Sequence, residues 1–145
     1  MKRLLIVAAA AALASASAMA ATPAGLWKTI DDNTGSPRSL IRITQVNGEY
    51  KGTIEKLFRA PDQEQDPKCD KCEGILKDKP ITGMTILTGL RQDGDEFADG
   101  KILDPENGKV YSSKASLDGS GKKLEVRGFI GVSLFGRSQT WVRAD

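Results

Sequence analysis

The chain is expected to be all-β, a small antiparallel up-and-down β-barrel of about eight strands, and three observations carry that expectation. Short runs of alternating or β-branched residues recur at near-regular spacing along its length. Glycine, asparagine and aspartate turns punctuate them, and no run has the apolar spacing of an amphipathic helix. The stretch 122–143, KKLEVRGFIGVSLFGRSQTWVR, reads as a closing hairpin that returns to Gly25-Leu26-Trp27 near the other end.

The elements follow in order. Residues 26–31 form a first strand, ended by the turn 31–37, whose Asp, Asn, Gly and Ser residues bond their own backbone or tolerate left-handed geometry. A second strand at 39–46 places Ile41 and Ile43 on one face, and Asn47-Gly48 is a strong hairpin signal. The returning strand, 50–59, sets Ile54 and Phe58 in phase with Tyr50. Residues 60–80 break the rhythm. They are polar, carry Pro61, Pro67 and Pro80, hold Cys69-Asp70-Lys71-Cys72, and read as a long surface loop of a kind that is often functional. Strands at 84–91 and 96–103 meet at residues 92–95, and 104–108 is a turn by every local rule. A strand at 110–117 leads through 118–121 to the hairpin. Its arms alternate, with Leu124 and Val126 on one face of 123–129 and Gln139, Trp141 and Arg143 on one face of 138–143. Gly128, Gly131 and Gly136 mark a tight, irregular connection. One helical turn fits at 75–79 or 132–135.

Residues 1–20 read as a secretory signal peptide. Lys2 and Arg3 are the basic start, residues 4–13 the apolar run, and Ala18-Met19-Ala20 the cleavage pattern. The run is shorter than the roughly 20 residues needed to cross a bilayer, so no transmembrane anchor is expected after cleavage. Residues 21–145 then form one domain, expected in the bacterial periplasm or outside the cell. Loss of Lys2 and Arg3 takes the 21 basic residues to 19, against 19 acidic ones, so the pI of 8.5 describes only the precursor. A neutral, interspersed charge set argues against nucleic acid, which needs clustered lysine and arginine.

The candidate chemistry is sparse. Cys69 and Cys72 are the only cysteines, and an oxidising compartment favours a local disulfide between them. A redox role and a metal site are the alternatives. The first lacks the helix N-terminus that lowers a thiol pKa, and the second lacks further ligands, because the chain has no histidine. That absence also removes Ser-His-Asp and Cys-His catalysis, so no catalytic residue and no cofactor are assigned. Asp99, Asp104 and Glu106 are the nearest carboxylate cluster and read as solvated turn residues. Asp104 and Tyr111 are candidate ligand or turn contacts. Arg127 and Arg137 flank the glycine-rich connection, and either bond loose carbonyls there or hold a carboxylate at a barrel mouth. Tyr50, Phe58, Phe97, Tyr111, Phe129, Phe135, Trp27 and Trp141 are expected to fill the interior, which is either wholly packed or open enough for one small ligand.

Gly25-x-Trp27 on the first strand and Trp141-Val142-Arg143 on the last resemble the lipocalin and calycin signature. The resemblance implies that Arg143 lies over the Trp27 ring and seals the closed end, with Arg137 as the second choice of partner. A closer resemblance runs from Gly25 to Arg143. Asp104-Pro105-x-x-Gly108-Lys109-x-Tyr111, Val126-Arg127-Gly128-Phe129-Ile130-Gly131 and Ser133-Leu134-Phe135-Gly136-Arg137-x-Gln139-x-Trp141 are similar to a secreted bacterial family, domain of unknown function 2147, as are the Cys-x-x-Cys loop and Pro80-Ile81-x-Gly83. This implies an exported calycin-like barrel without an established reaction. The expected role is a non-enzymatic envelope protein that binds a small amphipathic or hydrophobic ligand. The alternative is a protein-interaction or assembly module of the envelope.

Overall fold

The structure, a computed structural model, describes residues 21–145, so the expected signal peptide lies outside the described residues. Eight strands run in chain order: β1 (Gly25–Ile30), β2 (Pro37–Val46), β3 (Glu49–Leu57), β4 (Thr85–Asp93), β5 (Glu96–Asp104), β6 (Lys109–Leu117), β7 (Lys123–Phe129) and β8 (Gly136–Arg143). Each pairs antiparallel with the next, and β8 returns to β1, which closes an up-and-down barrel. Asn47 and Gly48 hold φ of 53° and 78°, the two positive values that a tight hairpin matching strand twist requires. The closing ladder is the shortest of the eight, with two residue pairs, Trp27 with Arg143 and Lys28 with Val142.

Alternation sets the interior. Trp27, Ile41, Ile43, Tyr50, Leu87 and Leu90 are buried, and Tyr50 meets Phe97 edge to face at 5.4 Å between centroids. Inward glycines let large side chains cross this space. A Cβ at Gly52 would stand 3.0 Å from the Leu87 Cβ, and one at Gly100 would stand 2.8 Å from Leu90. Such filling is usual for eight strands.

One expectation about the interior is corrected at Phe58. Ile41 pairs with Ile54 but Leu40 pairs with Lys56, so Glu55 is an extra residue that shifts the phase of β3. Leu57 therefore takes the inward position opposite Ser39. Phe58 falls beyond the strand, 36% exposed, with the Lys56 ammonium 5.1 Å from its ring.

The β1–β2, β3–β4, β5–β6 and β7–β8 connections share one end of the barrel, here the loop pole. The other connections, with residues 21–24 and 144–145, form the closed pole. The β3–β4 segment holds a short 3-10 turn at Gly74–Leu76. Cys69 and Cys72 are bonded, with Cα atoms 5.3 Å apart. The expectation of an exposed cystine on a surface loop is corrected, because Cys69 is 0% and Cys72 3% exposed. Leu87 pairs with Ile102 facing inward, so the adjacent Ile86 and Leu103 face outward, yet both are buried. They belong to one apolar cluster with the cystine, against which Leu76 and Ile81 pack. The loop thus forms a second apolar layer on the outside of β4 and β5.

Candidate functional site

The closed pole is a structural seal. Arg143 places its guanidinium carbon 4.3 Å from the Trp27 ring centroid. It donates from Nε to the Gly121 carbonyl at 2.8 Å, from Nη1 to Ala24 at 3.0 Å and from Nη2 to Thr22 at 2.6 Å. Trp27 Nε1 donates to the Pro23 carbonyl at 2.8 Å. Gly25 leaves room for this arginine, because a Cβ there would come within 2.6 Å of Nη1. Trp141 is buried beside them, donating to Gln139 Oε1 at 3.3 Å. A planar cation stacked on indole and spending its donors on three carbonyls leaves no reactive group free.

The loop pole separates the carboxylates named above. Asp104 Oδ1 accepts from the Glu106 amide at 2.9 Å, and its carbonyl accepts from Gly108 at 2.8 Å. Glu106 pairs with Arg38. Asn107 Nδ2 donates to the Tyr111 hydroxyl at 3.0 Å. Asp104 and Tyr111 are therefore turn contacts, and Asp99 sits apart in a bulge of β5 with φ of 63°. Among the described residues no three of Cys, Asp and Glu gather as metal ligands. Gly108 seats the cystine loop on this turn. A Cβ there would overlap the Lys71 carbonyl, while Cys69 Sγ lies 3.5 Å from the Pro105 carbonyl oxygen.

Arg127 bonds loose carbonyls rather than a ligand. Its Nε donates to the Ser133 carbonyl at 2.6 Å, Nη2 to Leu134 at 3.3 Å and Nη1 to Ser138 Oγ at 2.9 Å. Arg137 is exposed and pairs with Asp32 at 2.5 Å, tying β8 to the β1–β2 turn. The arginine fork folds the β7–β8 loop back onto the barrel flank and so creates a hollow that no local pattern announces.

That hollow is an outer groove of about 560 Å³ with Lys101, Ser112, Lys114, Phe129, Val132 and Ser133 in its walls. Lys101 faces Ser112, and Ser112 faces Phe129, across β5, β6 and β7. Lys101 Nζ donates to Ser112 Oγ at 3.2 Å, and Asp99 adds one carboxylate to the rim. Two ammonium groups and two hydroxyls thus oppose an aromatic and a branched apolar wall. In the sequence these residues are the ordinary polar positions of alternating strands. The signal available was the three-glycine spacing of 128–136, which marks a bent connection without saying where it folds.

Phe129 and Phe135 also depart from the expected interior. Phe129 is half-buried on the outside, and Phe135 is 73% exposed.

The family model described as uncharacterized protein conserved in bacteria (DUF2147) matches residues 25–143. Comparison with curated proteins finds no match. Among solved structures, protein HP1028 from the human pathogen Helicobacter pylori, described as belonging to the lipocalin family, superposes with a TM-score of 0.74. The two are 18% identical over 87% of this chain and 85% of that one, a likeness of fold.

Proposed function

From the premise that this chain belongs to the DUF2147 family, we propose that it is an exported, non-enzymatic envelope protein that holds a small anionic amphiphile in its outer groove. The carrying observation is the two-sided lining of that groove, with Lys101 and Lys114 against Phe129 and Val132. Its volume falls within the roughly 300–1,000 Å³ of small-molecule sites. A lipocalin-like barrel supports a binding role, but the packing around Gly52 and Gly100 fills the interior and moves the site to the flank. The basic start, apolar run and cleavage pattern of residues 1–20 support export to the periplasm or beyond. The lack of histidine supports a protein without acyl-transfer chemistry of the common kinds.

Lysine gives a carboxylate or phosphate a charge-assisted bond, and loss of one costs about 1.5–3 kcal/mol, tenfold or more in affinity. The double variant Lys101→Ala with Lys114→Ala should therefore bind a fluorescent fatty acid at least tenfold more weakly. Binding unchanged in that variant would refute the groove. Native mass spectrometry of protein purified from its own envelope separates the two functional classes. A retained small mass supports the amphiphile, whereas a stoichiometric protein companion supports an assembly module.

A further inference from the structure

We propose that the loop pole docks onto the surface of an anionic lipid bilayer, with Ile130, Leu134 and Phe135 entering the interface and Lys101 and Lys114 meeting the headgroups. The first observation is where apolar side chains are left exposed. Among the described residues nine large hydrophobic side chains are exposed. Val46 and Val142 lie toward the closed pole, while Phe58, Ile75, Val110, Ile130, Val132, Leu134 and Phe135 lie at or beside the loop pole. Four of these fall within six consecutive residues of the β7–β8 loop, and Leu134 and Phe135 are 78% and 73% exposed. Apolar exposure concentrated in one region signals a contact surface.

The second observation is that the loop holds its display. Arg127 donates to the Ser133 and Leu134 carbonyls, and Gly136 packs so closely that a Cβ there would stand 2.7 Å from the Phe129 Cβ. The backbone that carries Leu134 and Phe135 is fixed from beneath while their side chains stay in solvent. Insertion then orders little that is not already ordered.

Charge and shape choose the occupant. Lys101 and Lys114 line a groove whose other wall is Val132 and Ser133, so cations stand directly beside the inserting loop. Asp99 in the same groove opposes them with one charge. Apolar side chains with neighbouring ammonium groups match the layering of a bilayer interface, acyl chains within and phosphates above. Ile75 on the β3–β4 connection and Val110 at the start of β6 supply further points on the same pole. The inference shares its two lysines with the groove reading but needs no ligand in the groove.

The test is co-sedimentation of the purified protein with vesicles of equal parts phosphatidylglycerol and phosphatidylcholine, beside vesicles of phosphatidylcholine alone. Binding is expected to the first, weakening as salt rises. Leu134→Ser with Phe135→Ser should lower the bound fraction at least tenfold. The variant should keep its melting temperature, since both side chains are exposed, and its fatty-acid affinity, since neither lines the groove. A Phe135→Trp variant should shift its emission to the blue when anionic vesicles are added. No sedimentation with anionic vesicles overturns the proposal, and so does equal sedimentation of the loop variant. Concentration-dependent dimerisation that the loop variant abolishes, without vesicle binding, overturns it in favour of a second copy of the chain. Loss of fatty-acid binding in the lysine variant, whatever the vesicles show, bears on the groove alone.

Discussion

Gly108 shows what one residue carries here. As part of an Asp-Pro-x-x-Gly turn it is legible in the sequence, and its φ of 73° is the left-handed geometry expected there. Its second duty, leaving room for the Lys71 carbonyl, joins positions far apart in the chain and leaves no local mark. Gly108→Ala should therefore cost more than a turn glycine alone, about 1–3 kcal/mol, read as a lower melting temperature. Trp27 and Arg143 were readable because a Gly-x-Trp start and a late arginine point to one geometry. Trp27→Ala should cost about 3–5 kcal/mol in denaturant unfolding. Carboxylates set the acid response. Asp118 is held below its ordinary 3.8 by the Lys123 amide first, then by Ser120 and the Lys122 amide. Asp31 is lowered by the Thr34 and Asn33 amides. A lowered folded pKa means that their stabilisation is present above the unfolded value and is lost as pH falls through the folded one. Melting temperature should thus fall on acidification below about pH 3.8, and less so in Asp118→Asn with Asp31→Asn.

The β3–β4 segment carries the largest correction at the scale of elements. Its charges and prolines read as a solvated loop, and the Cys69–Cys72 bond was legible from the pair itself. What the sequence hides is that Ile86 and Leu103 face outward. The β4 and β5 registers decide this, and each depends on a bulge. A loop of this composition then becomes a lid over an outer apolar layer. The bond closes a very short ring, so the chain-entropy share of its stabilisation is small. Its larger effect is to hold the loop over Ile86 and Leu103. Cys69→Ala with Cys72→Ala should lower the melting temperature measurably and raise proteolysis within 60–80. Because both sulfurs are buried, native protein should resist dithiothreitol, with alkylatable thiols appearing only near the unfolding transition. Rapid reduction of the folded protein would contradict the burial.

At the scale of the whole molecule, strand number and order followed from alternation and turn residues, since each strand needs only its own period and its neighbours. The β7–β8 loop did not follow, because Arg127 folds it back by bonds to carbonyls, which carry no side-chain signature. The short seam between β1 and β8 has a consequence in time. Every other ladder joins strands adjacent in sequence, and most of their turns are tight, whereas Trp27 meets Arg143 only after nearly all the chain has been ordered. Closing so long a loop for two residue pairs gains little until the hairpins stand, so the seam should form last in folding. It should also be the first ladder to open in the native state. Hydrogen exchange should find the β1 and β8 seam amides less protected than those of the β2–β3 hairpin, with the Arg143 clasp on Trp27 setting how often the cylinder becomes, briefly, an open sheet.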